Sequence, residues 1–237
     1  MRRATLLWLA AAAVLAVVVA YQTWGSSPGR RGDRLAARAD VPTVQPGADV
    51  LAGIAVLPAR IHRYDYRRSA FGEPWDDNND APGGHNGCDT RDDILNRDLV
   101  NKTYVATKRC PNAVASGTLH DPYTNAIVVF QRGAQVGQSV QIDHIVALSY
   151  AWDMGAYGWP DSQRLRFAND PANLLAVQGQ ANQDKGDSPP ADWMPPNAAF
   201  ACQYAMAFIA VVRGYALPVD QASAGALRQA AASCPTG

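Results

Sequence analysis

An Asp–His pair inside an otherwise apolar run constrains this chain more than any other feature of its sequence. The segment QIDHIVALSYAW, residues 141–152, alternates like a strand as far as Asp143 and His144 and then continues with mostly apolar residues. A carboxylate and an imidazole at the end of a half-buried strand lose hydration unless other groups hold them. This segment alone allows two interpretations, a hydrogen-bonded histidine at a strand end or a metal ligand beside a general base.

The residues around this pair indicate an α+β domain. Alternation predicts strands over 125–131 and 138–147, and the glycines between them favour an antiparallel hairpin. Helices are predicted over 89–99, 149–156 and 161–170, over 198–213 after a cap at Asn197, and over 220–233. Residues 49–59 form a short apolar helix or strand, and residues 173–177 form a short buried strand that leads into a turn and a helix over 179–185.

Composition and charge limit the function classes. The chain has 237 residues, of which 48% are hydrophobic and 18% charged, enough for one folded domain with its own core. The formal net charge is zero, and residues 51–237 carry 15 basic and 18 acidic side chains, a net of −3. This excludes a uniformly basic nucleic-acid platform, so any nucleic-acid contact has to be local.

The N-terminus predicts export. Arg2 and Arg3 precede an apolar run over residues 6–20, the pattern of a cleaved secretory signal or of an uncleaved anchor. We assign residues 1–24 to a signal peptide or membrane anchor, 25–50 to a flexible linker and 51–237 to the folded domain. A cleaved signal gives a secreted protein, whereas an anchor tethers the chain through residues 4–24 to the outer face of the cytoplasmic membrane.

The cysteines agree with an exported chain. There are four, widely spaced and without a CxxC pair, which favours two disulfides over a zinc site. Three connectivities are open. We favour Cys88–Cys110 and Cys202–Cys234, because each bridge closes a local loop and leaves the central segment free.

Three more polar residues follow the Asp–His pair. Asn173 opens the second predicted strand, Asn182 lies nine residues later, and Lys185 lies three residues beyond Asn182. Residues three apart face the same side of a helix. Two strands and a helix of this kind are one way to bring Asp143, His144 and the two asparagines together.

The order Asp-His, Asn, Asn, Lys resembles the ββα-metal core of the HNH endonuclease superfamily, also called the His-Me finger. The spacing of Asn173, Asn182 and Lys185 is similar to that in the HNH domain of RNA-guided CRISPR nucleases. The wider strings GCDTRDDIL, RFANDPANLLAV, NQDKGD and PPADWMPP resemble a subgroup of secreted actinobacterial proteins, whose nuclease domain also closes the GmrSD-type restriction enzymes. The resemblance covers about residues 60–235 and implies a ββα-metal core with a flanking hairpin and helices, stapled by disulfides.

The resemblance implies a role for each residue of the motif. His144 is the general base that activates a water molecule against the scissile phosphorus. Asp143 and Asn182 are the ligands of one divalent cation, Mg²⁺ first and Mn²⁺ as a substitute, because such cations prefer oxygen ligands. Asn173 orients the histidine loop through hydrogen bonds.

Two basic residues are candidates for binding the substrate. Lys185 either contacts a phosphate or acts as a cation at a helix C-terminus. Arg91, in the string CDTR, either clamps a phosphate with two hydrogen bonds or forms an ion pair with a nearby aspartate.

We therefore expect a secreted or surface-tethered, metal-dependent endonuclease that hydrolyses phosphodiester bonds in nucleic acid, with DNA favoured and RNA left open. No protein partner is implied. The alternative is a non-catalytic extracellular binding domain on the same HNH fold. If His144 acts as the base with an ordinary histidine pKa of about 6.5, activity rises with pH through that range.

Overall fold

The computed structural model describes residues 41–133 and 138–236. The predicted signal peptide or anchor and the first part of the predicted linker lie outside these residues. In the described ranges no helix is long and apolar enough to cross a membrane. Residues 41–50, which the sequence analysis assigned to the linker, contact the C-terminal segment: Val44 N donates to Pro235 O at 2.9 Å, and Asp49 pairs with Arg228 at 3.1 Å.

Helices and strands are mixed along the described chain, as expected for an α+β domain. They are β1 (Val56–Leu57), α1 (Thr90–Asp98), β2 (Val100–Val105), β3 (Ala113–His120), β4 (Ile127–Gln131), β5 (Val140–His144), α2 (Leu148–Asp153), α3 (Asp161–Asn169), β6 (Leu174–Gln178), α4 (Gly179–Lys185), α5 (Ala201–Gly214), β7 (Val219–Asp220) and α6 (Gln221–Ala231). The helix predictions are confirmed, with ends that differ by up to three residues. The apolar segment 49–59 contributes only the two residues of β1.

The strands pair in three groups within the described residues. The strands β2-β3-β4 form an antiparallel sheet, β5 and β6 form an antiparallel pair, and β1 and β7 form a parallel pair. The predicted hairpin between residues 125–131 and 138–147 is therefore wrong, because β4 pairs with β3 and β5 pairs with β6. The overlooked signal is the turn after β3, where Asp121 Oδ2 accepts from Thr124 N at 2.9 Å and Asn125 adopts a φ of 61°. Asparagine tolerates this left-handed conformation better than most residues, so β4 folds back at once.

Two hydrophobic clusters meet at the β5–β6 pair. One cluster lies among α2, α3, α5 and α6 and includes Tyr150, Phe167 and Phe208. The other lies between α1 and strands β3–β6 and includes Leu95 and Phe130. Strand β6 contributes to both, as its alternating side chains require: Leu174 and Ala176 are buried in the second cluster, and Val177 in the first. This pair is consequently fixed from both faces.

Both disulfides favoured by the sequence are present. Cys88–Cys110 joins the start of α1 to the segment before β3, and Cys202–Cys234 joins the first turn of α5 to the residues after α6. Closing loops of 22 and 32 residues contributes about 3 kcal/mol each through the lost freedom of the unfolded chain.

Helix α1 covers the open edge of β6. Arg97 Nη1 donates to Pro171 O at 2.8 Å and its Nη2 donates to Leu174 O at 2.7 Å, and the Asp98 carboxylate accepts from Ala176 N at 2.8 Å. These contacts satisfy backbone groups that an edge strand otherwise leaves unpaired. The edge of the two-stranded pair is therefore closed from within the chain.

The transition from β6 to α4 requires a glycine. Gly179 N donates to Ser139 O at 2.8 Å, and a Cβ atom built on Gly179 would overlap the backbone oxygen of Gln138. Helix α4 therefore starts in direct backbone contact with the residues that precede β5. This close approach sets the position of α4 on the two strands.

We expect Gly179→Ala to destabilise the domain by about 1–3 kcal/mol, because the added methyl group has to displace backbone atoms. The matched control is Gly225→Ala in α6, where a Cβ meets nothing within 4 Å. That substitution is expected to stabilise the chain by about 0.5–1 kcal/mol, the usual difference between glycine and alanine in a helix. Urea unfolding of the three proteins measures both effects, and equal stabilities for the two variants contradict the expectation.

Candidate active site

The β5–β6–α4 unit sends Asp143 and His144 in opposite directions. In the antiparallel register Asp143 lies opposite Leu175 and His144 opposite Leu174. Successive side chains of a strand point to opposite faces, and the contacts follow this rule. Asp143 faces Tyr123 and Lys185, whereas His144 faces Trp75 and the end of α3.

Asp143 is fully engaged by neighbouring side chains. Its side chain is buried, and Lys185 Nζ donates to Oδ1 at 2.8 Å and to Oδ2 at 2.6 Å. The Tyr123 hydroxyl donates to Oδ2 at 2.5 Å, and the Tyr123 ring packs against Trp193 with ring centroids 4.9 Å apart. Burial raises the pKa of the Asp143 carboxyl, and the charge and hydrogen bond of Lys185 together with the Tyr123 hydroxyl oppose that rise.

Lys185 differs from its predicted role as a phosphate contact. Only 1% of the residue is exposed, and its ammonium group donates to both Asp143 oxygens and to His144 O at 2.7 Å. An ammonium group has three protons to donate, and these three contacts use them. Lys185 is therefore an internal ion-pair partner in this structure, whereas the phosphate contact predicted for it needs an exposed ammonium group.

The predicted cation site does not fit this arrangement. A divalent cation at Asp143 has to lie beside the Lys185 ammonium, at a carboxylate whose charge is already neutralised. The other predicted ligand, Asn182, is half-buried and donates through Nδ2 to Gln141 Oε1 at 2.8 Å, which leaves one amide oxygen. Among the described residues no group of three or more His, Cys, Asp or Glu side chains has the geometry to hold a metal ion. Asp143 can take a cation only if Lys185 leaves it.

His144 is held as a neutral imidazole. Its Nε2 lies 2.9 Å from the carbonyl oxygen of Ala168. Because a carbonyl only accepts hydrogen bonds, Nε2 carries the proton. Ala168 belongs to the last turn of α3, where carbonyl groups lack partners inside the helix. The Trp75 ring stacks on the imidazole with centroids 5.6 Å apart and an interplanar angle of 9°.

Burial lowers the pKa of His144 to about 3, against the raising effect of the Ala168 carbonyl; the charges of Arg68 and Lys185 lower it slightly further. Nδ1 therefore keeps its lone pair at neutral pH, and it forms no hydrogen bond with any residue the structure describes. The pKa of about 6.5 assumed from the sequence does not apply to the folded chain. In the unfolded chain the imidazole has its ordinary pKa of about 6.5, so on acidification the unfolded chain takes up the proton before the folded chain does. The stability that neutral His144 contributes is therefore fully present above about pH 6.5, and it is lost as the pH falls towards 3.

Asn173 connects the two strands beyond His144. It is completely buried, its Oδ1 accepts from Val146 N at 2.8 Å, and its Nδ2 donates to Val146 O at 3.2 Å. Its own carbonyl accepts from Ile145 N at 2.8 Å. These contacts hold the backbone that follows His144.

Arg91 also differs from a free phosphate clamp. Its Nη2 donates to Val140 O at 3.0 Å, at the start of β5. Burial lowers the pKa of the Arg91 guanidinium, and the charge of Asp89 opposes this. Arg91 therefore supports the strand that carries Asp143 and His144.

A cleft of about 200 Å³ opens beside His144, and we call it the His144 cleft. It is lined by Arg68, Ser69, Phe71, Gly72, Glu73, Pro74, Trp75, His144, Leu148 and Ala168. Most of this wall comes from residues 68–75, which the sequence analysis did not include in the site. The segment lies within the residues that resemble the family, but no spacing in the sequence places it beside the strand of His144.

The family that matches is described as "GmrSD restriction endonucleases, C-terminal domain", and the match covers residues 89–230, more than half of the chain. The chain belongs to this family. The family match includes β5, β6 and α4, whereas residues 68–75 of the His144 cleft precede it.

One relative is an uncharacterized secreted protein from Arthroderma benhamiae. It is 38% identical over 149 residues, which are 62% of this chain and 68% of the relative. No solved structure matches the chain. Membership of the GmrSD C-terminal domain family identifies a nuclease-type domain, as the sequence motifs predicted.

A prediction about metal binding follows from the ion pair between Lys185 and Asp143. We expect Lys185→Met to cost about 3–5 kcal/mol, because it leaves a buried carboxylate without its partner. If the vacated carboxylate takes a cation, millimolar Mg²⁺ or Mn²⁺ raises the melting temperature of this variant. The double variant Lys185→Met/Asp143→Asn is the control and is expected to lose this response.

The wild type is measured in parallel and is expected to melt at the same temperature with and without the cation, as is Asp143→Asn alone. If the cation raises the melting temperature of the wild type and Asp143→Asn removes this rise, then Asp143 binds the cation while Lys185 is present. That result contradicts the expectation. This second comparison holds even if Lys185→Met fails to fold.

The burial of His144 predicts its titration. In a proton NMR titration of the folded chain, the His144 ring resonance, assigned by its loss in His144→Ala, is expected to stay constant between about pH 5 and 8. The reason is that its pKa is lowered to about 3. A midpoint between pH 6 and 7 for this resonance contradicts the buried neutral ring.

Proposed function

We propose that this chain is a nuclease that hydrolyses phosphodiester bonds of nucleic acid, with His144 as the general base. One observation carries the proposal: His144 lines an open cleft, its Nε2 proton is committed to Ala168 O, and its Nδ1 lone pair is free. A base has to be unprotonated and within reach of the proton that it takes. The family match supports the nuclease class.

The reaction uses one water molecule for each bond broken. The water oxygen forms a bond to phosphorus while the bond from phosphorus to the leaving sugar oxygen breaks, and the electron pair of that bond stays on the leaving oxygen. His144 Nδ1 takes one proton from the water, and the leaving oxygen gains one from solvent. His144 then returns its proton to solvent.

A pKa of about 3 makes His144 a weak base in the free protein. A bound phosphodiester changes this, because a nearby negative charge stabilises the imidazolium and raises the pKa. The free protein thus holds the imidazole ready and neutral, and the substrate increases its basicity. The Ala168 carbonyl supports the same protonation, since it accepts from Nε2–H in both states.

Lys185, Asp143 and Asn173 are positioning residues in this proposal. Lys185 Nζ donates to His144 O at 2.7 Å, and Asn173 holds Val146 on the other side of the histidine. The backbone on both sides of the base is therefore fixed. Fixed geometry contributes to catalysis because the reacting groups are not ordered anew for each turnover.

The resemblance to HNH nucleases implies a divalent cation, which supplies charge stabilisation on the phosphate when bound. Asp143 and Asn182 remain our candidates for its ligands only in a state in which Lys185 has left Asp143. As the chain is folded here the donor atoms do not fit the ion, and the steps above use none. The cleavage assay below is run with Mg²⁺, Mn²⁺ and EDTA to measure the requirement directly.

We propose DNA as the substrate and an extracellular location. The family name refers to restriction endonucleases, which cut DNA, and this supports DNA over RNA. A relative named as secreted, two disulfides and the apolar N-terminal run support export. Tethering through residues 4–24 and the domain limits 1–24, 25–50 and 51–237 remain predictions from the sequence.

A second candidate is a non-catalytic domain that binds nucleic acid on the same fold. The observation that favours it is the Lys185–Asp143 ion pair, which occupies the carboxylate that the HNH pattern assigns to the cation. The free His144 Nδ1 favours the enzyme. The two functions differ in one measurable property, since only the enzyme breaks a phosphodiester bond.

The deciding experiment is cleavage of supercoiled plasmid and of RNA by the wild type and His144→Ala. Loss of the general base is expected to lower the rate by a factor of about 10²–10⁴. The control is His120→Ala, which removes an exposed histidine at the end of β3 and is expected to keep the wild-type rate. Nucleic-acid binding without cleavage in any cation favours the second candidate, and equal rates for wild type and His144→Ala reject His144 as the base.

A further inference from the structure

The His144 cleft contains an arginine without an internal partner. Arg68 is exposed and lines the cleft together with His144 and Trp75. It forms no hydrogen bond or salt bridge with any residue in the described ranges.

The backbone that carries Arg68 is firmly anchored. Arg68 begins a short 3₁₀ helix that ends at Phe71, whose side chain is 2% exposed in the core. Arg164 Nε donates to Ala70 O at 2.8 Å, and Gly72 N donates to Ser69 O at 3.1 Å. The backbone that carries the Arg68 side chain is therefore held in place, which limits the backbone ordering entropy that binding costs.

The other basic residues considered for substrate binding are committed elsewhere. Lys185 uses its three donors on Asp143 and His144, and Arg91 donates to Val140 O. A phosphodiester in the His144 cleft therefore needs another cation beside the base. Arg68 is the basic residue among those that line this cleft.

We infer that Arg68 binds the scissile phosphate of the nucleic-acid substrate in the His144 cleft. This inference rests on the nuclease function proposed above and names the residue that neutralises the reacting group. A guanidinium binds two phosphate oxygens through parallel N–H groups, which fixes the phosphorus as well as its charge. Negative charge builds up on those oxygens during attack by water, so the contact strengthens in the transition state.

Glu73 adds a negative charge to the His144 cleft, and this charge restricts where a phosphate can bind. It is exposed and forms no salt bridge with Arg68. Its carboxylate repels a phosphate, so the phosphate is expected on the Arg68 side. Neutralising Glu73 is therefore expected to strengthen binding, the opposite of neutralising Arg68.

The test uses Arg68→Ala, Arg68→Lys and the matched control Arg67→Ala, which removes the adjacent exposed arginine outside the lining of the cleft. With supercoiled plasmid, Arg68→Ala is expected to lower kcat by roughly 10²–10³. Arg68→Lys keeps the positive charge but loses the contact through two parallel N–H groups, so its kcat is expected to lie between those of the wild type and Arg68→Ala. Arg67→Ala is expected to stay within about twofold of the wild type, as for most surface changes.

A binding measurement tests the phosphate contact of Arg68 without cleavage of the nucleic acid. The probe is a fluorescein-labelled single-stranded oligonucleotide, and its anisotropy is measured with His144→Ala, His144→Ala/Arg68→Ala and His144→Ala/Arg67→Ala. Loss of one phosphate contact is expected to reduce the slope of log Kd against log salt by about 0.7. Glu73→Gln in the same background is expected to bind more tightly.

The cleavage and binding measurements distinguish a failure of the role inferred for Arg68 from a failure of the nuclease function on which it rests. If the wild type cleaves and Arg68→Ala keeps the rate of Arg67→Ala, the role of Arg68 is overturned and the nuclease function stands. If the wild type cleaves neither plasmid nor RNA in any cation, the nuclease function fails and the binding measurement decides on the role of Arg68. Equal affinity and equal salt slope for the Arg68 and Arg67 variants then overturn it.

Discussion

A buried ion pair between Lys185 and Asp143 connects the end of α4 to the end of β5, and the arrangement around His144 depends on it. Removing two charges from water is expensive, and the pair is tolerated only because its hydrogen bonds are complete. Lys185 donates to both Asp143 oxygens and to His144 O, and Tyr123 donates to Asp143 as well. The strand end that carries the imidazole is therefore fixed in its position on the helix.

The side chains of Asp143 and His144 lie on opposite faces of β5. The alternation of a strand turns Asp143 towards the interior and His144 towards the His144 cleft. The ion pair and the imidazole are thus separated by the strand itself. In this geometry Lys185 stands where the HNH pattern expects a cation, which makes Asp143 a structural anchor of the site as the chain is folded here.

The His144 cleft combines segments that are far apart in the chain. Trp75 precedes α1, adopts a φ of 61°, and its carbonyl accepts from Thr90 N at 3.2 Å. This unusual backbone conformation for a bulky residue accompanies the stacking of its ring on His144. Strained backbone of this kind is frequent at functional sites. The cleft therefore exists only after the segment before α1 has docked on the β5–β6 pair.

Local chemistry and spacing determined a large part of this protein in advance. The amphipathic patterns predicted the helices, the even number of cysteines and the local loops that they can close favoured both disulfides, and the order of Asp143, His144, Asn173 and Asn182 indicated the family. These features are readable because each depends on residues close together in the chain. The tertiary structure alone decided that β4 pairs with β3, since pairing depends on which strand edge is free after the chain turns at Asn125. It also decided that Lys185 neutralises Asp143 and that residues 68–75 enclose His144, because the partner of a buried charge is chosen by proximity in space, which sequence spacing does not encode.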